Sequence, residues 1–216
     1  MFTLKNTSNS TLLLGPPITA KSFLFEAAMH WAEKGNLVFF ITPSPLKSFP
    51  AQYHDRKDVP PAIYDMIKFL YLETYDVLAE QLVDLHTFSK LPSLILVDNL
   101  DTYIKGVQNT ELEDMHIAKL CAVLHDSVNA CSRVKKCQVL LCASITGTSL
   151  QSTPYPLYFD NIWYLTVEKD TDELIIKFTE VSTNSESEIK EPKAFEYRKF
   201  RDKTLILTKI FNVNLD

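Results

Sequence analysis

The feature that most constrains this chain is the stretch TLLLGPPITAKS at positions 11–22. A short apolar run ends at Gly15, and Lys21 and Ser22 stand just before a segment with helical spacing at 23–34. This order of strand, glycine, lysine, hydroxyl and helix is typical of a phosphate-binding loop. Backbone amides surround the phosphates there, the lysine neutralises their oxygens and the hydroxyl binds magnesium. The sequence predicts nucleotide contacts at Gly15, Thr19, Ala20, Lys21 and Ser22.

One position departs from this pattern, because Ala20 stands where a glycine is expected before the lysine. If that position requires a positive φ, alanine costs about 1 kcal/mol relative to glycine. Such a cost weakens binding by about tenfold. Pro16 and Pro17 also remove two amide donors. The sequence therefore predicts a weakened nucleotide site that still binds.

A second motif is the apolar run LILVD at positions 94–98, which predicts a buried strand ending in an acid. In nucleotide-binding folds an acid at this place holds magnesium through water. Lys21 and Asp98 are the predicted catalytic residues, and Ser22 and Asp98 are the predicted magnesium ligands. The predicted cofactors are ATP and magnesium.

Hydrolysis needs a further carboxylate that orients the attacking water. In RecA-like ATPases this acid follows the second strand, here the apolar run at 36–42. The chain has no Asp or Glu between positions 36 and 54, and Pro43 and Pro45 follow Thr42. Asp98, Asn99 and Asp101 remain as polar groups near the expected γ-phosphate. We expect a weak ATPase at most.

The fold class follows from the alternation of strand-like and helix-like segments in the first two thirds of the chain. Further strands are predicted at 66–72 and 137–144, and helices at 74–85 and 111–132, although one long helix would also fit 66–85. The last third holds four strand-like segments joined by polar turns. We expect a single α/β domain over residues 1–216, a RecA-like P-loop ATPase core. A mostly parallel sheet flanked by helices spans 11–145, an antiparallel extension spans 160–216, and 182–192 form a mobile loop.

Composition excludes some classes of protein. The net charge of −5 argues against a domain that wraps nucleic acid by bulk electrostatics, so any DNA contact must be local. No apolar run is long enough to span a membrane, and the first ten residues do not resemble a signal peptide. The four cysteines lack paired spacing and are interpreted as reduced core thiols.

Two segments resemble a known family. Positions 11–50, above all PLKSFP at 45–50, and PSLILVDNLDTYI at 92–104 resemble the SWIM-domain-associated ATPases. These are small RecA-like recombinase paralogues of Shu-type complexes. The resemblance implies binding of ATP and single-stranded DNA, and pairing with a SWIM-domain zinc protein. It also implies support of the recombinase filament in homologous recombination and double-strand break repair, in the nucleus. Ala20 departs from the family pattern, as does the lack of a glutamine at 144–150.

The RecA-like interpretation directs attention to the segments after the later strands for DNA binding. Lys105 follows one strand, and Tyr155 and Tyr158 follow another and could stack on bases. Packing of these tyrosines onto the core is an equal alternative. A basic group supplies the remaining candidates, which are Arg133, Lys135 and Lys136. A second basic group at 190–203 alternates with acids and is interpreted as a solvated strand face at least as readily as a DNA patch.

Two other functions compete with this one. A pseudo-ATPase scaffold would act through protein binding alone. A P-loop kinase is disfavoured, because such enzymes usually have a lid with several arginines. The chain has only four arginines and none between Lys57 and Arg133. The element FEAA at 25–28 resembles a recombinase docking motif, but its helical spacing favours core packing.

Overall fold

The computed structural model describes residues 10–53, 56, 59–104, 110–147, 153–170, 173–181 and 193–211. Within these residues the chain forms ten strands and four α-helices. The strands are β1 Ser10–Leu14, β2 Val38–Thr42, β3 Gln52–Tyr53, β4 Ile67–Tyr71, β5 Leu94–Val97, β6 Leu140–Ile145, β7 Asn161–Asp170, β8 Glu173–Val181, β9 Ala194–Lys199 and β10 Thr204–Phe211. The helices are α1 Pro17–Glu33, α2 Pro61–Tyr64, α3 Tyr75–Asp84 and α4 Thr110–Lys135. Short 3-10 turns occupy Leu85–Thr87, Leu100–Tyr103 and Tyr155–Tyr158.

All ten strands belong to one sheet in the order β3-β10-β9-β8-β7-β1-β6-β5-β2-β4. The six strands from β7 to β4 in this order pair in parallel, whereas β8, β9 and β10 pair antiparallel with one another and β8 with β7. The two-residue strand β3 joins β10 in parallel. The predicted α/β class is confirmed, with a mostly parallel sheet flanked by helices and antiparallel C-terminal strands.

Helices cover both faces of the parallel strands, because successive side chains of a strand point to opposite faces. Leu13 and Phe40 pack with α1 on one face. Leu12 and Ile41 pack with α3 and α4 on the other. Both faces of the central strands are therefore buried, which explains their continuous apolar sequences. No helix among the described residues is both long and apolar enough to cross a bilayer.

Helix α1 begins at Pro17, so the prediction that it starts at Phe23 is wrong. Proline suits the first helical position, since its missing N–H has no partner there and its φ is already helical. The helix ends where Gly35, with φ of 76°, and Asn36 donate their amides to the carbonyls of Ala32 and Trp31. This is the glycine-terminated cap that a left-handed residue allows.

Other boundaries follow the sequence more closely. The alternative of one long helix over 66–85 is excluded by β4, followed by Thr74, whose hydroxyl accepts the Val77 amide at 3.3 Å to cap α3. The proline-rich segment at 43–61 holds the unexpected strand β3. The predicted mobile loop at 182–192 lies outside the described residues. The core-thiol interpretation fails for Cys137, which is exposed.

Candidate functional site

The carboxyl ends of the parallel strands form one edge of the sheet, and the two predicted catalytic residues meet there. Asp98 follows β5 directly, and Lys21 lies in the second turn of α1 after β1. The Lys21 ammonium Nζ is 2.9 Å from Asp98 Oδ2. The Lys21 side chain is 33% exposed and that of Asp98 only 3%. Parallel strands thus place two residues distant in sequence in a direct ion pair.

Asp98 has an unusual environment for a carboxylate. Thr42, at the end of β2, donates its hydroxyl to Oδ2 at 3.3 Å. The second oxygen, Oδ1, is buried without a hydrogen-bond partner among the described residues. Burial raises the pKa of Asp98 above its usual range, although Lys21 and then Thr42 act in the opposite direction. Asp98 therefore keeps an open acceptor site that a cation or a water could use.

The backbone before Lys21 does not form an amide cradle. The amides of Thr19 and Ala20 both donate to the Pro16 carbonyl, at 3.0 and 2.9 Å, as the first bonds of α1. Pro16 and Pro17 have no N–H to offer. The Ser22 hydroxyl is buried and donates to the Ile18 carbonyl at 3.0 Å. The Lys21 and Asp98 side chains fit a magnesium nucleotide, but the backbone in this conformation does not.

The structure also changes the interpretation of Ala20. Positive φ among the described non-glycine residues occurs only at Asn99, Lys136 and Lys203, so the premise that Ala20 needs a positive φ is wrong. Ala20 is fully buried inside a helix, where alanine is the most favourable residue. Gly15 is required for a different reason. A Cβ built on it would lie 2.6 Å from Leu165 Cβ and 2.8 Å from the Leu165 carbonyl oxygen of β7.

Polar contacts beside Asp98 join the ends of β5 and β6. The Asn99 amide donates to the Ser144 hydroxyl at 2.8 Å, with Asn99 itself in the left-handed region at φ 66°. The Thr146 amide donates to Asp101 Oδ2 at 2.8 Å. Ser144 therefore holds the turn after Asp98 in place, and Asn99 and Asp101 lie at the edge where the sequence placed them.

The candidate DNA tyrosines pack into the protein in the described conformation. Tyr155 is buried and its hydroxyl has no hydrogen-bond partner among the described residues, so burial raises its pKa. Tyr158 packs against the same core, and its carbonyl lies 2.7 Å from His125 Nε2. This geometry favours the packing alternative over base stacking.

The basic group at the end of α4 lies at the opposite edge of the sheet. Lys135 Nζ donates to the hydroxyl of Ser93, which precedes β5, at 2.5 Å. Arg133 and Lys136 flank it near the amino ends of the parallel strands. These residues are therefore separated from Lys21 and Asp98 by the length of the strands. Lys105 lies outside the described residues.

Sequence reasoning missed several residues near the site. Thr42 was not expected to bind Asp98, although a hydroxyl at the end of a neighbouring parallel strand is a usable signal. A cavity of about 400 Å³ beside Lys21 is lined by Lys47, Lys199 and Lys203. The last two belong to the basic group that was interpreted as a solvated strand face. Phe25 and Ala28 are fully buried, which confirms core packing of FEAA.

Neither a family model nor a curated protein sequence matches the chain. Solved structures do match. A KaiC-like protein from Pyrococcus horikoshii OT3 has 9% identity and a TM-score of 0.61, with 93% of this chain and 90% of that chain covered. The RadB recombinase has 11% identity and a TM-score of 0.59, with 95% and 91% covered. A DnaB-like replicative helicase has 8% identity and a TM-score of 0.58, with 96% of this chain and 57% of that chain covered. The chain has the fold of RecA-like P-loop ATPases.

Proposed function

We propose that this chain is a nuclear accessory factor of homologous recombination and double-strand break repair. It pairs with a SWIM-domain zinc protein, binds single-stranded DNA and supports the recombinase filament. The resemblance at 11–50 and 92–104 supports this proposal, and so does the RecA-like fold, with a recombinase among the similar structures. The observation on which the proposal mainly rests is the ion pair of Lys21 with Asp98 at the carboxyl edge of the sheet.

ATP and magnesium are the ligands that this pair is proposed to hold. Lys21 would neutralise phosphate oxygens, and Asp98, whose Oδ1 has no hydrogen-bond partner among the described residues, would hold magnesium together with Ser22. Magnesium supplies charge neutralisation when it is bound. The segment 43–53 after β2 has no carboxylate to orient water. Binding therefore matters more than hydrolysis in this proposal.

The outer edge of the sheet supports a role in protein pairing. Among the described residues, strand β3 covers only Thr204 and Leu205 of β10. Beyond them Leu207, Ile210 and Phe211 are exposed on an edge strand, at 42%, 55% and 42%. Long apolar edge strands are sites where another chain can add to a sheet. We assign this edge to the SWIM-domain partner.

Co-expression with a SWIM-domain protein tests the pairing. We expect the two proteins to co-purify, and Ile210→Glu to break the complex while Val83→Glu, on the exposed side of α3, leaves it intact. Single-stranded DNA binding and filament support are then measured with each complex. Retention of the complex by Ile210→Glu would contradict the assignment of the edge.

A second candidate function is the pseudo-ATPase scaffold, which the hydrogen-bonded amides of Thr19 and Ala20 favour. Lys21→Ala separates the two proposals, with the exposed Lys34→Ala as the matched control. Loss of ATP binding in Lys21→Ala but not in Lys34→Ala supports a nucleotide role. Unchanged binding of ATP, DNA and partner in both variants would establish the scaffold instead.

A further inference from the structure

We propose that the cavity beside the start of α1 binds the polyphosphate of a nucleoside triphosphate through lysine side chains of the β9–β10 hairpin. We call it the lysine cavity and define it by Lys21, Lys47, Lys199 and Lys203. This inference rests on the nucleotide binding proposed above. It assigns the phosphate contacts to ammonium groups, because the loop amides are used by the helix.

Charge is the first observation that supports the lysine cavity. The lysines come from three separate parts of the chain, and no carboxylate lines the cavity among the described residues. Lys47 and Lys199 form no ion pair with any residue that the structure describes. Lys203 Nζ contacts the Ser48 hydroxyl at 3.4 Å, and Lys21 pairs with Asp98. A cavity of about 400 Å³ with this charge is suited to a compact anion.

The backbone that presents the lysines is well ordered by hydrogen bonds. The hairpin turn is closed by bonds from Phe200 N to Thr204 O and from Lys203 N to Phe200 O, both at 3.0 Å. Pairing of β3 with the start of β10 holds the segment with Lys47 against this turn. The cavity is thus built by long-range pairing, which fixes the backbone from which the lysine side chains project.

No carboxylate among the described residues of the cavity lining balances the charge of its lysines. Burial, and after it the charge of Lys203, lowers the pKa of Lys199. Asp202 lies in the same turn, but its Oδ1 accepts the Thr204 amide at 2.9 Å, and it lines a neighbouring cavity together with Arg56 and Lys203. A bound polyphosphate would relieve the repulsion that Asp202 leaves in place.

The apolar rim favours a nucleotide over a bare phosphate. Phe49 is 60% exposed and Ile18 is 74% exposed, and both line the cavity. The Phe49 ring is held by Phe25 and Tyr64, each with ring centroids 5.7 Å away, so one side of it can receive a base. The size of the cavity fits the tail of one nucleotide, and a nucleic-acid strand would need an extended groove.

Calorimetric titration tests the proposal with tripolyphosphate, ATP and a short thymidine oligonucleotide as probes. We compare the native protein with Lys199→Gln/Lys203→Gln and with the control Lys34→Gln/Lys90→Gln, which removes two exposed lysines elsewhere. Tripolyphosphate and ATP should bind about tenfold more weakly to the hairpin variant, because charge-assisted contacts are lost. The control should bind as the native protein does.

Three results would overturn the proposal: no tripolyphosphate binding by the native protein, unchanged ATP affinity in the hairpin variant, or a loss confined to the oligonucleotide. Nitrogen NMR of the native protein gives a readout that no folding defect can disturb. Tripolyphosphate should raise the pKa of Lys199, and an unmoved pKa contradicts the inference. If Lys21→Ala abolishes ATP binding while the hairpin variant does not, this inference fails and the nucleotide role stands. If tripolyphosphate binds but the protein does not support the recombinase filament, the proposed function is contradicted and this inference stands.

Discussion

The parallel part of the sheet and its antiparallel extension differ in how many of their strand residues are buried. Every residue of β2 and β5 is buried, since helices cover both faces of these strands. In β8 and β9 only Ile176 and Glu196 are buried, and the other residues are half-exposed. The extension therefore has less covered surface and more available to other molecules.

The two parts also differ in how far their charged groups are paired. At the edge of the parallel part Lys21 is paired with Asp98, and the loop amides are paired within α1. At the same edge of the extension Lys199 and Lys203 have no carboxylate partner among the described residues. The part that contains the recognisable motif is internally paired, whereas the part without a motif presents free charge and an open strand edge. Groups available for binding therefore need not lie where the motif lies.

The largest effect is expected at the joint between the two parts. Arg56 pairs with Glu26 of α1 at 2.8 Å and also with Glu33, while the neighbouring Tyr53 stacks on Tyr197 of β9 at 5.9 Å. Arg56→Met leaves Glu26 buried without its cation, which should cost about 3 kcal/mol in the free energy of unfolding. Denaturant unfolding at neutral pH measures this loss.

Arg198→Met is the control for Arg56→Met, because Arg198 pairs with Glu173 at a half-exposed position of the sheet. Its cost should stay within about 0.5 kcal/mol. Burial raises the pKa of Glu26, so acidification should reduce the loss in Arg56→Met as the carboxyl becomes neutral. Equal losses in the two variants would show that the joint does not depend on the buried pair.

A smaller effect is expected where β1 passes β7. Gly15→Ala places a methyl against the backbone of Leu165, which cannot move without shifting β7. We expect a loss of about 2 kcal/mol, measured by thermal unfolding. Gly35→Ala is the control, since it has open space around it and only the strain of φ 76°, worth about 1 kcal/mol. A larger loss at Gly35 would mean that the contact of Gly15 with β7 tolerates an extra atom.

Most of the fold could be predicted from the sequence, because the strands of the parallel part are buried on both faces and read as continuous apolar runs. The meeting of Lys21 and Asp98 was predictable for the same reason, since parallel strands bring their carboxyl ends to one edge. Strand β3 was not predictable, because two residues carry no periodicity and their register with β10 is set by distant packing.

The start of α1 and the lysine cavity escaped prediction for physical reasons. The first turn of α1 exposes Ile18 and buries Thr19, so no apolar spacing marks the helix before Phe23. The lysine cavity is assembled from α1, the segment after β2 and the last hairpin, and only tertiary structure places these together. Along the sequence Lys199 and Lys203 are interleaved with acids, and nothing there shows that neither lysine pairs with a carboxylate among the described residues.

Ala20→Gly tests whether the segment before Lys21 forms the first turns of α1 or a phosphate-binding loop. Because Ala20 is buried and helical, glycine should destabilise the protein by about 1.5 kcal/mol, from lost helix propensity and a lost buried methyl. Ala32→Gly, also buried in α1, is the matched control for propensity. Thermal unfolding and ATP titration are measured together. Greater stability of Ala20→Gly than of the native protein would indicate a loop with positive φ in place of the helix.

The smallest change in the free energy of unfolding is expected for a substitution of Asp98. Its sign shows whether the ion pair with Lys21 or the burial of the charge has the larger effect. Because burial raises its pKa, the fold favours the neutral carboxyl, so the contribution of Asp98 to stability is full below its ordinary value of 3.8 and falls as pH rises through the native pKa. Asp98→Asn keeps the shape and removes a buried charge whose desolvation outweighs its ion pair with Lys21, so it should stabilise the protein at pH 7 by about 1 kcal/mol. This gain should shrink toward zero near pH 4, which unfolding curves across pH 4–8 measure. Thr42→Val is the control that removes a partner of Asp98 and should destabilise instead. A loss of stability in Asp98→Asn at pH 7 would mean that the ion pair with Lys21 outweighs the burial of the charge.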